Sequence, residues 1–246
     1  MYIFFRFIWV YSCFFVIFVS IKISDMANRW LRRKRNSLGY GVQSPSDFYF
    51  VQHVLREKSP YYAYAALTLM NQQYQALFPC YSDEVHRLLF RLANYIHPDV
   101  MVEVGTSLSV FAMSAACPLM RCVTINKSEC CAAMQALLDE HPLVEMVIGE
   151  EVESFRHLLH ELGSIQLLHV AHTANYKAVV ETALPYVTQH TLFIIEDIHT
   201  DKEKQDWWRG LRESNTTGIS YDLGPIGLLF FDKSRYKDSY WINLRS

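Results

Sequence analysis

The chain has 246 residues, of which 51% are hydrophobic and 20% charged, and its formal net charge is -2. This composition argues against disorder and predicts one core of ordinary size. The nearly neutral charge argues against a general attraction to nucleic acid, and the six cysteines lack the C-x-x-C spacing of a metal site, which favours a reducing compartment.

The first 25 residues differ in composition from the rest of the chain. Residues 7–21 are almost wholly apolar and aromatic, but this run is shorter than the ~20 residues that span a bilayer. Two interpretations stay open: segment 1–25 is a membrane anchor lengthened by residues 2–5, or it is translated upstream sequence and the protein starts at Met26. Both predict a cytoplasmic domain, with membrane contact only if the segment is retained as an anchor.

Helical patterns dominate the next part of the chain. Amphipathic periodicity predicts helices over residues 46–56 and 83–96, and a further helix within residues 60–79. We therefore assign residues 26–98 to an N-terminal helical region.

Strands and helices alternate from residue 99 onward. The near-continuous apolar runs predict parallel strands that are covered on both faces, and Gly224-Pro225-Ile226 predicts a hairpin between the last two. The predicted strands are 100–104, 122–126, 144–148, 165–170, 191–196, 219–223 and 227–232, and the helices are 110–116, 129–140, 152–162, 176–186 and 202–213. Residues 99–246 are thus expected to form a Rossmann-like, doubly wound α/β domain with a mostly parallel seven-stranded sheet, a C-terminal antiparallel hairpin and an N-terminal helical extension.

The turn after the first strand predicts a ligand site. Ligands of doubly wound sheets bind outside the carboxyl ends of the strands. Gly105 follows the strand 100–104, and its missing Cβ would let the backbone approach a ligand. Glu103 lies on the same face two residues earlier, and the N–H groups of the next helix would point at the ligand. The pattern is typical of nucleotide-type sites.

Three segments carry a resemblance to a known family: Gly39-Tyr-Gly-Val-Gln-Ser-Pro45, Val102-Glu-Val-Gly-Thr-Ser-Leu-Ser109 and Ile194-Ile-Glu-Asp-Ile-His199. With the order of elements, they resemble class I S-adenosylmethionine-dependent methyltransferases, and more closely a group of bacterial O-methyltransferase-like proteins. The resemblance covers roughly residues 30–244. It implies S-adenosylmethionine as cofactor, a small-molecule acceptor, and methyl transfer to an oxygen of that acceptor.

The resemblance also implies which residues bind the cofactor. Glu103, Gly105, Thr106 and Ser107 would wrap its methionine part. Asn126 stands where the family normally has an acidic residue for the ribose hydroxyls, so a charge-assisted hydrogen bond is lost there. Gly149 and Glu150 occupy the place that contacts adenine.

The candidate catalytic residues follow the fourth and fifth strands. Relatives carry an aspartate near the transferred methyl group, where this chain has Ala171. His172 comes next and has a pKa suited to general-base catalysis, or it is a loop histidine that faces solvent. Asp197 and His199 form an Asp-x-His pattern, in which the carboxylate could orient an imidazole or a substrate hydroxyl. Alternatively the two residues cap the following helix, although Thr200 and Asp201 are better caps.

No metal site is predicted, because only Glu196 and Asp197 remain of the expected oxygen ligands, and Glu196 could equally enter a salt bridge. Two carboxylates would still allow a magnesium or calcium site. The losses at Asn126 and Ala171 also leave open a degenerate relative with a binding or structural role. A nicotinamide-binding enzyme is disfavoured by the missing G-x-G-x-x-G motif. A homo-oligomer stays open.

Overall fold

A computed structural model describes residues 31, 33–78, 82–105, 107–127 and 131–244. The apolar segment 1–25 and the alternative start at Met26 lie outside these residues. Within the described part of the chain, no helix is long and apolar enough to cross a membrane.

The N-terminal region is helical as predicted. Helix α1 (Pro45–Phe50) begins at Ser44, whose hydroxyl accepts a hydrogen bond from the Asp47 amide, and continues as a π-helical turn (Val51–Leu55). Helices α2 (Tyr64–Tyr74) and α3 (Asp83–Ile96) follow, and residues 33–37 are also helical. The prediction of one regular helix over 46–56 is thus corrected in its second half, where the Arg56 amide donates to Val51.

The remaining residues form the expected alternation of strands and helices. The strands are β1 (Val100–Val104), β2 (Arg121–Asn126), β3 (Val144–Ile148), β4 (Ile165–Val170), β5 (Val187–Glu196), β6 (Ser220–Asp222), β7 (Ile226–Phe230) and β8 (Ser239–Trp241). The helices are α4 (Ser109–Ser114), α5 (Ala132–Glu140), α6 (Glu151–Leu162), α7 (Tyr176–Ala183) and α8 (Lys202–Glu213). A 3-10 turn, Leu184–Tyr186, follows α7.

The eight strands form one sheet in the order β3-β2-β1-β4-β5-β7-β6-β8. β1 to β5 are parallel, and β7 is antiparallel to both β5 and β6, which confirms the doubly wound sheet and the closing hairpin. The predicted count of seven strands is wrong. The eighth, β8, pairs parallel to β6 over three residues, too few for a period-two pattern to reveal.

The core lies on both faces of the sheet. One apolar cluster packs α3, α4 and α5 against one face, and a second packs α6, α7 and α8 against the other. Strand order reverses between β1 and β4, the two strands whose crossovers leave in opposite directions. The carboxyl ends of β1, β4 and β5 therefore lie side by side at the position where ligands bind in such sheets.

Candidate functional site

Gly105 forms the turn after β1. Its φ of +103° lies in the region that favours glycine, and its amide donates to Ile125 on β2. A Cβ at this position would lie 3.0 Å from the carbonyl oxygen of His172, which follows β4. The expectation that the missing Cβ makes room for a ligand is thus corrected, because the chain's own backbone takes that space. Thr106 lies outside the described residues.

Glu103 is buried inside the sheet edge. Its Oε1 accepts a hydrogen bond from Thr124, and its Oε2 accepts one from Ser107 at 3.0 Å. Ser107 in turn accepts from the Ser109 amide at the start of α4. Burial raises the pKa of Glu103. Glu103 therefore holds Ser107 in place after the Gly105 turn. A contribution of Glu103 to cofactor binding would act through Ser107.

His169 joins Glu103 to a second buried carboxylate. Its Nδ1 lies 2.7 Å from Glu103 Oε2, and its Nε2 lies 2.9 Å from Glu196 Oε1 at the end of β5. Burial by itself lowers the pKa of His169, but the two carboxylates outweigh it and raise that pKa to about 10. We call Glu103, His169 and Glu196 the buried triad. His169 is not among the site residues predicted from the sequence, although a histidine within an apolar strand is a signal.

His172 and Asp197 form a second pair, which lies nearer to solvent. His172 Nδ1 lies 2.6 Å from Asp197 Oδ2, and this hydrogen bond raises the pKa of the imidazole. The alternative that His172 is a loop histidine facing solvent is therefore only partly correct, because a carboxylate binds its Nδ1. Asp197 has a φ of +56°, and its amide donates to Pro225 in the hairpin turn. We call His172 and Asp197 the exposed pair.

Glu196 connects the buried triad to the exposed pair. Its Oε2 is buried, has no hydrogen-bond partner among the residues that the structure describes, and lies 3.7 Å from His172 Nε2. Each of His172, Glu196 and Asp197 offers a ligand atom, and these atoms lie within 4.8 Å of one another. One imidazole nitrogen and two carboxylates suit a divalent cation, and the imidazole adds a donor to the two carboxylates considered from the sequence.

Lys204 of α8 is only 6% exposed and lies close to this cluster. Burial lowers the pKa of its ammonium group, while Asp197 and Glu196 oppose that effect. Ala171, where the resemblance in sequence implies an aspartate, is buried, and its amide donates to Val104. The side chain at this position therefore faces the interior of the protein.

His199 does not join the exposed pair. Its Nε2 lies 2.9 Å from Asp222 Oδ2 on β6, so the Asp-x-His pattern splits into two separate contacts. The predicted pairing of Asp197 with His199 is thus corrected. The helix that follows is capped by Asp201, whose Oδ1 accepts from the Lys204 amide, so neither residue is needed as a cap.

The remaining predicted cofactor residues lie at the ends of β2 and β3. Asn126 is buried, and its Nδ2 donates to Thr124 at 3.3 Å. The Gly149 amide donates to the Asn126 carbonyl group. Glu150 caps α6 by accepting a hydrogen bond from the Glu153 amide at 2.7 Å. These residues therefore lie at the predicted edge of the sheet, but the carboxylate of Glu150 caps a helix.

Comparison with known proteins extends this description. No family model matches the chain, and no curated protein matches it significantly either. Solved structures do match it. An O-methyltransferase from Bacillus cereus in complex with SAH aligns with a TM-score of 0.56 and 16% identity, over 73% of this chain and 96% of that one.

Two further structures show the same similarity. The O-methyltransferase TomG from Streptomyces achromogenes, involved in tomaymycin synthesis and in complex with SAM, aligns with a TM-score of 0.55 and 17% identity, over 70% of this chain and 91% of that one. A methyltransferase from Geobacter sulfurreducens aligns with a TM-score of 0.53 and 16% identity, over 71% and 92%. At these identities the likeness concerns the fold. The chain therefore has the Rossmann-like α/β fold of class I S-adenosylmethionine-dependent O-methyltransferases.

Proposed function

We propose that the protein is an S-adenosylmethionine-dependent methyltransferase that transfers the methyl group to an oxygen of a small-molecule acceptor in the cytoplasm. One observation carries the proposal. The His172 carbonyl oxygen lies against Gly105, so the exposed pair stands next to the turn that the fold uses for its ligand. A candidate base and a candidate cofactor turn thus share one edge of the sheet.

The proposed chemistry assigns each residue of the exposed pair a task. Asp197 accepts the Nδ1–H of neutral His172, which makes Nε2 the nitrogen that would take the proton of an acceptor hydroxyl. The cofactor, when bound, supplies the electrophilic methyl group. The protein contributes alignment, which can lower a barrier by several kcal/mol. Glu196 lies beside Nε2 and would stabilise the protonated imidazole.

The cofactor would rest on the ends of β1, β2 and β3. Ser107 and Gly105 would hold its methionine part, Asn126 its ribose, and Gly149 its adenine. Asn126 is already bonded to Thr124, so its amide is oriented before any ligand arrives. A preorganised amide loses less entropy on binding.

A second candidate is a degenerate relative that kept the fold and lost the chemistry. The burial of Ala171 favours it, because no carboxylate stands where relatives carry one. The contacts of Glu103 favour it as well, since three groups of the chain itself already bond to that carboxylate. This candidate predicts that the protein does not turn over any acceptor.

Calorimetric titration of the full chain with S-adenosylmethionine and S-adenosylhomocysteine tests the proposal. We expect saturable binding of both. Wild-type protein without detectable binding at millimolar cofactor would refute the enzyme proposal. With an acceptor in hand, His172→Ala should lower kcat by roughly 10²–10⁴-fold, the usual contribution of a general base, and leave cofactor affinity nearly unchanged. His157→Ala, an exposed histidine on α6, is the matched control.

A further inference from the structure

A cavity of about 260 Å³ lies between α8, strand β6, the edge strand β8 and the helical residues 33–37. Its lining includes Arg33, His199, Trp208, Arg209, Arg212 and Trp241. None of these residues belongs to the buried triad or to the exposed pair. The methyl-transfer proposal therefore leaves this cavity unexplained.

Arg212 lines the cavity next to two tryptophans. Its guanidinium lies 5.0 Å from the ring centre of Trp241 and 5.6 Å from that of Trp208, so two indoles flank it. Its Nε and Nη1 are buried and have no hydrogen-bond partner among the described residues. Burial lowers the pKa of this guanidinium, as expected for a cation with too few partners. A buried cation of this kind is costly unless an anion pairs with it.

Trp208 adds a second donor without a partner. The residue is 1% exposed and lines the cavity, and its Nε1–H makes no hydrogen bond within the part of the chain that the structure describes. Buried indole N–H groups usually have a partner, because an unmade hydrogen bond costs about 1–3 kcal/mol. Two neighbouring side chains of the lining thus carry buried donors for which the described residues supply no acceptor.

The charges of the lining also select an anion. Arg33, Arg209 and Arg212 supply three positive charges and Asp222 supplies one negative charge, while Arg209 is also paired with Asp206 at 3.3 Å. Asp222 is engaged by Arg33 Nη2 at 3.1 Å and by His199 at 2.9 Å, and the charges of Asp222 and Glu213 only partly offset the effect of burial on the pKa of Arg212. Arginine with indole N–H groups is a donor set that suits phosphate or carboxylate oxygens.

We propose that this cavity binds a small oxyanion, either a phosphate or a carboxylate group, through the Arg212 guanidinium and the Trp208 indole N–H. The cavity lies just below the usual range of 300–1,000 Å³ for drug-sized ligands. It therefore fits an inorganic anion or the anionic group of a somewhat larger molecule. The site is separate from the proposed methyl-transfer site.

Titration of the full chain with sodium phosphate and, separately, sodium acetate tests this site. The titrations are run without cofactor and at constant ionic strength set by chloride, with calorimetry and tryptophan fluorescence as readouts, since Trp208 and Trp241 line the cavity. We expect saturable binding of at least one anion. The anion that binds with the higher affinity identifies whether the cavity prefers a phosphate or a carboxylate group. Arg212→Gln should weaken it at least about tenfold, the effect of losing one charged donor.

Arg156→Gln is the matched control, because Arg156 is exposed on α6 and pairs with Glu153. Its anion affinity should equal that of the wild type. Circular dichroism and melting temperature establish that Arg212→Gln is folded; if it is not, Arg212→Lys, which keeps the charge but loses the fork, replaces it. Wild-type protein that binds neither anion, or a folded Arg212→Gln variant that binds as tightly as the wild type, overturns the proposal.

Discussion

The contact of 2.6 Å between His172 and Asp197 ties the end of β4 to the end of β5. Asp197 adopts a positive φ, a conformation in which aspartate and asparagine are enriched among residues other than glycine. The carboxylate is thus presented to the imidazole by the backbone turn, and the turn is held in place by the hydrogen bond to Pro225. At the scale of single residues, this contact is what gives the candidate base its orientation.

Replacing Asp197 by Asn separates the charge of this contact from its geometry. Asn tolerates the same positive φ, so the turn should persist, while the loss of the negative charge removes the main cause of the raised pKa of His172. We expect the pKa of His172 to fall in Asp197→Asn. Histidine NMR signals followed against pH measure it directly, without an acceptor substrate.

In the active enzyme, kcat/KM should rise with pH as His172 loses its proton. Asp197→Asn should move this rise to lower pH, because the imidazole with the lower pKa loses its proton at lower pH. Asp206→Asn, on the exposed face of α8, is the control and should leave the His172 titration in place. An unchanged pKa in Asp197→Asn would show that the contact does not govern the imidazole.

At the scale of elements, the packing of α8 against β7 depends on one glycine, Gly227. A Cβ at Gly227 would lie 2.5 Å from Cη2 of Trp208, so the ring lies directly on the strand backbone. The same ring lines the anion cavity and packs in the apolar cluster on that face. Gly210 of α8 contrasts with Gly227, because a Cβ there would meet nothing within 4 Å.

The two glycines give opposite predictions for the same substitution. Gly227→Ala should lower the free energy of unfolding by about 1–3 kcal/mol, since Trp208 must move out of a packed position. Gly210→Ala should raise it by about 0.5–1 kcal/mol, because alanine restricts the unfolded chain and favours the helix. Urea denaturation of both variants measures the difference. If both substitutions change the free energy of unfolding in the same direction, α8 does not pack on β7 as described.

At the scale of the whole molecule, the buried triad crosses three neighbouring strands. Glu103 lies on β1, His169 on β4 and Glu196 on β5, and all three are fully buried. Paired charges inside a sheet are stable only together, because removing one partner leaves an uncompensated buried charge. The contacts that the triad makes between β1, β4 and β5 therefore depend on the protonation of the His169 imidazole.

The pH dependence of stability follows from the pKa of His169. In the folded protein this pKa is about 10, and in the unfolded chain it is near the ordinary value of 6.5. Between these values the folded state holds one proton more, so this contribution to stability is complete below pH 6.5 and is lost as pH rises through about 10. We expect the free energy of unfolding to fall over that range in urea denaturation series.

The variant His169→Gln identifies the source of this slope. It lacks the titrating group, so its free energy of unfolding should be lower at pH 6.5 and should change less between pH 6.5 and 9 than that of the wild type. His157→Gln, at an exposed position, should keep the wild-type slope. Equal slopes in wild type and His169→Gln would mean that another group sets the pH dependence.

The sequence by itself determined the α/β alternation and the place of the candidate site. Strands β1, β3 and β4 and helices α3 and α8 have the predicted bounds, because apolar periodicity and caps such as Asp201 are local signals. The position of Gly105 after β1 was equally visible. Topology then placed the ends of β1, β4 and β5 together, since parallel strands present their carboxyl ends on one edge.

Only the tertiary structure decided which side chains pair. His199 contacts Asp222 on β6, and His172 contacts Asp197 on β5, although the sequence places Asp197 closest to His199. It also decided that Glu103 bonds to His169 and that β8 extends the sheet by three residues. The physical reason is the same in each case. Partner choice depends on which strands become neighbours and which face each side chain takes, and neither is encoded in a local pattern of residues.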